Sequence, residues 1–153
     1  EWQQRLDNGV CECRYTVTVA GPYTLKVALN GYNVAGSPFS MYCSPVEIEA
    51  AECICKGRGL QGIFRTGHLA NFTIISRDRF GNKLLHGGHE FAVRVLTQTP
   101  EGVPLPDLRG KVEDLHTGGY QVTFTPQHVG NVTLSVNCKT FAEDGDIEFK
   151  PVK

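Results

Sequence analysis

Apolar and polar residues alternate along most of this chain in short runs, the pattern of strands with one face buried and the other wet. Val10 to Val19 alternates, and so do Tyr23-Leu25-Val27-Leu29, Phe72-Ile74, Phe91-Val93-Val95, Tyr120-Val122-Phe124 and Val132-Leu134-Val136. Helical spacing of apolar residues is almost absent. Turn-forming clusters separate the runs: Asp7-Asn8-Gly9, Asn30-Gly31, Gly36-Ser37-Pro38, Phe80-Gly81-Asn82, His86-Gly87-Gly88, Thr99-Pro100-Glu101-Gly102 and Thr117-Gly118-Gly119. Short strands punctuated this densely predict an all-β sandwich or barrel.

The pattern repeats. Leu6–Leu29 returns at Leu115–Cys138, shifted by 109 positions without a gap. Leu6 meets Leu115, Gly9 meets Gly118, Tyr15 meets Phe124, Thr16 meets Thr125, Gly21 meets Gly130, Thr24 meets Thr133, Leu25 meets Leu134 and Val27 meets Val136. The shared unit is turn, strand, Gly-containing turn, strand, recurring at the spacing of one immunoglobulin-sized domain. Residues 1–43 therefore read as the closing part of one unit, and residues 44–153 as a whole second unit.

Particular motifs narrow this further. Gly21-Pro22-Tyr23-Thr24-Leu25-Lys26-Val27 followed by Gly36-Ser37-Pro38-Phe39 resembles the closing strands of a filamin-type repeat. Gly57-Arg58-Gly59-Leu60, Phe72-Thr73-Ile74, Asp78-Arg79-Phe80-Gly81-Asn82 and Gly87-Gly88-His89-Glu90-Phe91 resemble the opening half of another. Gly119-Tyr120-Gln121-Val122-Thr123-Phe124-Thr125-Pro126 is similar to its fifth strand. The resemblance implies an immunoglobulin-like β-sandwich that binds proteins and carries out no reaction. Filamin-type repeats take an extended partner peptide as an extra strand between their third and fourth strands, where the peptide backbone supplies affinity and alternate side chains supply specificity. Here those strands are roughly 89–96 and 109–115, so the implied partner-binding residues are Ala92, Arg94, Leu96, Arg109, Lys111 and Glu113, with Phe91, Val93 and Val95 facing the core. Two departures stand out: the second unit ends in Asp146-Ile147-Glu148-Phe149-Lys150 in place of Gly-Ser-Pro-Phe, and the first lacks its opening four strands. An incomplete first unit leaves room for neighbouring repeats, or for self-association, to supply the missing strands.

Composition removes several alternatives. With 41% apolar residues the chain can bury a core unaided. The net charge of −1 lacks the basic surplus of a nucleic-acid binder. No apolar run reaches the roughly 18 residues of a membrane span, and Glu1-Trp2-Gln3-Gln4-Arg5 does not resemble a signal peptide. A cytoplasmic place, cytoskeletal or ciliary, follows by analogy with most proteins of this repeat; the alternative is a cell-surface adhesion protein, with glycans at the sequons headed by Asn71 and Asn131.

The remaining motifs point away from chemistry. Gly57-x-Gly59-x-x-Gly62 fits a dinucleotide fingerprint in letters, but Ile63-Phe64-Arg65-Thr66-Gly67-His68 has no helical stripe to aim amides at a pyrophosphate. His68, His86, His89, His116 and His128 form no metal-binding pair at helical spacing, although His86 and His89 flank a Gly-Gly turn. The six cysteines are Cys11, Cys13, Cys43, Cys53, Cys55 and Cys138. They read as buried thiols acting as small apolar residues, or, if oxidised, as disulfides; Cys11 and Cys13 occupy the repeat positions of Tyr120 and Val122 and should point inward. Glu143, Asp144 and Asp146 lack the ordered spacing of a calcium loop and read as a solvated turn. Neither a nucleophile elbow nor a catalytic Cys/His signature occurs, so no cofactor and no reaction are expected.

Overall fold

A computed structural model describes the backbone of residues 3–7, 10–141 and 147–152, and the side chains of 10–140 and 148–152. The chain divides into two compact units, Glu1–Ser44 and Pro45–Lys153.

The first unit consists of hairpins. β1 (Gln3–Asp7) pairs antiparallel with β2 (Val10–Arg14), and β3 (Gly21–Leu25) pairs with β6 (Phe39–Cys43). Between them β4 (Ala28–Leu29) and β5 (Tyr32–Asn33) close on Asn30-Gly31. Both turn residues have positive φ, 50° and 85°, the geometry that matches the twist of a two-residue hairpin. The alternation from Val10 onward continues past Arg14 in sequence, but the strand stops there. No described side chain of this unit is fully buried, and Val10, Val19, Leu29, Tyr32 and Tyr42 are each more than half exposed.

The second unit is a sandwich. Its strands are β7 (Ile54–Lys56), β8 (Ala70–Ile75), β9 (Phe91–Gln98), β10 (Leu108–Arg109), β11 (Lys111–Asp114), β12 (Gly119–Phe124), β13 (Asn131–Phe141) and β14 (Ile147–Pro151). One sheet has the order β10-β9-β13-β14, the other β11-β12-β8-β7, all pairs antiparallel. Alternate residues of each strand meet in the middle: Phe91, Val93 and Val95 from β9, Tyr120, Val122 and Phe124 from β12, Phe72 and Ile74 from β8, Val136 and Cys138 from β13. Burying each large apolar side chain stabilises the sandwich by about 1.5–3 kcal/mol. This is the sandwich that the period-2 pattern allows, in the immunoglobulin-like form that the family resemblance implies.

One loop is fastened by a buried carboxylate. Asp78 accepts hydrogen bonds from the Phe80 and Asn82 N–H groups at 2.9 Å each, from the Asn82 side-chain amide at 3.0 Å and from the Val46 N–H at 3.1 Å. Burial alone would raise its pKa; the bonds from Asn82, Val46 and Phe80 outweigh that and hold the carboxyl below its ordinary value.

Candidate protein-binding edge

β9 lies one strand in from the border of its sheet, next to the two-residue border strand β10. β13 covers one side over its full length, and β10 covers only Arg94 and Val95 on the other. Alternation places Phe91, Val93 and Val95 in the core, leaving Arg94 exposed and Ala92 and Leu96 half-buried on the outer face. Arg109 lies directly across from Arg94. Two like charges at paired positions repel, and the carboxylate of Asp107 relieves this by pairing with the Arg94 guanidinium. Lys111 and Glu113 are exposed, but they stand on β11 in the other sheet. The six sequence-derived residues therefore divide between two sheets, and meet only where the sandwich border brings β9 and β11 together.

The chain itself crosses that border. After β9 it turns back, with the Thr99 N–H donating to the Val103 carbonyl at 2.9 Å. It then runs antiparallel along the strand it has just left. The Leu105 N–H donates to the Thr97 carbonyl at 2.8 Å, Leu108 pairs with Val95, and the Gly110 N–H donates to the Val93 carbonyl at 3.0 Å. Gly110 marks the step from one sheet to the other. A Cβ there would sit 2.9 Å from Val93 Cγ1 and 3.2 Å from Val122 Cγ1, side chains of opposite sheets, so only glycine lets the backbone pass this close to the core. Leu105, Asp107, Leu108 and Gly110 were not singled out in the sequence. Their signal is Pro104 and Pro106 on either side of Leu105, since proline within a strand-like run marks an edge.

Other candidates fall elsewhere. Gly57 and Gly59 open no α-helix: Gly57 caps a single 3-10 turn, Arg58–Leu60, that contains Gly59, whose backbone is packed against that of Asn71. His86 and His89 do come together, their rings stacked with centroids 5.6 Å apart. The Tyr120 hydroxyl accepts from the His89 N–H and contacts its Nδ1, both at 3.0 Å. Burial, and then the field of His86, lower the pKa of His89. Both histidines line a cavity of about 830 Å³ with Pro45, Leu84, Glu90 and Lys139. Among the described residues no three metal-ligating side chains cluster. Glu143, Asp144 and Asp146 lie outside the described residues. Asn71 and Asn131 are both exposed.

All six cysteines are free thiols. Cys53 and Cys138 are buried and Cys43 and Cys55 half-buried, whereas Cys11 and Cys13 are exposed. The expectation that Cys11 and Cys13 face a core is corrected here: β2 pairs with β1 and all five of its residues are exposed. Burial, and then the field of Cys53, push Cys55 up to about 11 and Cys138 up to about 12.

A model of the filamin/ABP280 repeat matches residues 3–40 and again residues 47–146. The chain belongs to the filamin repeat family. Two relatives match the chain at lower coverage. The E3 ubiquitin-protein ligase TRIM45 of Mus musculus is 29% identical over 106 residues, covering 69% of this chain and 17% of that protein. Filamin-C of Rattus norvegicus is 30% identical over 130 residues, covering 84% of this chain and 4% of that protein. The chain thus spans well under a fifth of the length of these relatives. Among solved structures, the Lin-41 filamin domain superposes with a TM-score of 0.45 at 14% identity, over 72% of this chain and 89% of that one. The Escherichia coli adhesin FdeC superposes with a TM-score of 0.44 at 17% identity, over 87% of this chain and 40% of that one.

Proposed function

We propose that this segment is a non-enzymatic interaction and scaffold module, in which an extended partner peptide adds as a strand to β9 at the border with β11. The observation that carries this reading is the strand-type hydrogen bonding on the outer side of β9 from Val93 to Thr97. An edge whose backbone groups accept a chain in strand geometry has the chemistry of β-augmentation. Leu96 and Ala92 supply apolar contact beside that edge, Arg94 and Arg109 supply positive charge, and Lys111 and Glu113 supply the charges of the facing border. Residues 44–153 act as the complete repeat in this reading. Residues 1–43 act as the closing strands of another, whose exposed apolar residues are covered by further strands from a neighbouring repeat or a second copy.

Backbone NMR titration of the chain with extended peptides of candidate partners tests this. The expected result is saturable shifts centred on Ala92, Arg94, Leu96 and Lys111. A partner that binds tightly and leaves all four unmoved would refute the edge as the site. The family match favours a scaffold role like that of other filamin-type repeats.

A further inference from the structure

The segment Val103–Gly110 occupies the edge to which partners are proposed to bind, and its chemistry describes what that edge accepts. It lies antiparallel to β9 and donates to it from Leu105 and Gly110, on either side of the pair between Leu108 and Val95. Leu105 and Leu108, three apart, are half-buried, and Leu108 packs against the core. Asp107, just before Leu108, pairs with Arg94. Val103, Pro104 and Pro106 are exposed. The two prolines cannot donate hydrogen bonds and favour an extended backbone, so Leu105 is held in strand geometry at little entropic cost.

The geometry points to a built-in pseudo-ligand: residues Val103–Arg109 cover the β9 edge, a partner must displace them, and the partner class is an extended peptide of the form Leu-x-Asp-Leu. This rests on the edge-binding reading proposed above. Two features of the cover make it displaceable. Its apolar anchors are only half-buried, and its ion pair is solvent-exposed, where such pairs contribute little. Because it is tethered, it competes at an effective concentration on the order of millimolar. A free peptide of the same sequence therefore binds the native chain weakly and binds well only once the cover is loosened.

The test uses the whole chain and the synthetic peptide acetyl-Val-Pro-Leu-Pro-Asp-Leu-Arg-amide as probe. In one variant Leu105, Asp107 and Leu108 are all replaced by glycine. A second, Leu105→Gly with Asp107→Gly, keeps the Leu108 contact with the core and serves if the first fails to fold. The expected result is that the loosened chain binds the probe at least about tenfold more tightly than the native chain. Amide shifts should fall on Val93–Thr97. A probe carrying Lys in place of Asp should bind about threefold more weakly, the scale of an exposed ion pair. Equal binding by native and loosened chains overturns the gating role while leaving edge binding intact. Failure of both to bind, when hydrogen exchange shows the residue 105 and Gly110 amides released, overturns edge binding as well.

Discussion

The same sequence unit is used twice in this chain, at Leu6–Leu29 and Leu115–Cys138, and among the described residues only the second copy has fully buried side chains. Phe124 ends β12 at 3% exposed, with the rings of Phe64 and Phe72 centred 5.6 and 6.4 Å away. Its counterpart Tyr15 follows β2 at 42% exposed, with its hydroxyl on the Met41 sulfur. Tyr120 and Val122 are sealed in the core, whereas Cys11 and Cys13 at the equivalent positions are open to solvent. Cross-strand partners differ as well: Glu12 faces Arg5, while its counterpart Gln121 faces Glu113, one residue from the equivalent position. A strand's alternation therefore states which side chains share a face. It does not state that anything lies against that face.

The largest expected effect separates the two aromatic positions. Phe124→Ala should cost about 3–5 kcal/mol, the range for removing a buried aromatic ring. Tyr15→Ala should cost about 1 kcal/mol or less, since half of that ring is already wet. Urea denaturation followed through the resonances of each unit reads both, and similar losses would show that the first unit has a core of its own.

The repeated glycines sharpen the contrast at smaller scale. Gly21 and Gly130 have φ of 145° and 153°, a conformation that side chains rarely adopt. Alanine at either should therefore cost about 1–3 kcal/mol in strain. At Gly130 the new Cβ would also collide with the Gln98 carbonyl, while at Gly21 it would meet nothing within 4 Å. Gly130→Ala should destabilise clearly more than Gly21→Ala in the same denaturation experiment; equal costs would mean that backbone strain alone explains both glycines.

The smallest effect is chemical. Maleimide should modify the exposed Cys11 and Cys13 before the buried Cys53 and Cys138, which stay unmodified until the fold opens, as mass spectrometry of digests would show. The pH dependence has a definite sign. Cys55 and Cys138 ionise at about 11 and about 12 when folded, above the 9.0 of an ordinary thiol. A raised folded pKa stabilises fully below the unfolded value, so stability should fall as pH rises from about 9 through 11 and 12. No alkaline loss from these sites would mean that water reaches them.

Much of the fold was legible in residue patterns. Phe91-Val93-Val95 and Tyr120-Val122-Phe124 alternate with polar neighbours, and burial follows the same alternation. The proposed binding edge was legible only in outline. Arg94 and Arg109 could be placed on neighbouring strands through the family resemblance, but the Asp107 contact depends on how the chain turns after Gln98. The segment between β9 and β11 has no strong period, because its two leucines are separated by Pro106 and Asp107 and only two of its residues form a strand. The inward reading of Cys11 and Cys13 failed for the opposite reason. Their alternation was clear, but both faces of β2 are exposed.

The sequence by itself determined most strands of the second unit, which side chains share a face, the repeat and the family. These are local properties, set by side-chain alternation and by glycines where the backbone must turn. Tertiary structure alone decided which copy of the repeated unit is buried and which backbone groups at the sheet border are already satisfied. Both depend on residues far apart in sequence: burial needs a second sheet across the core, and the cover on β9 needs Gly110 to slip between Val93 and Val122.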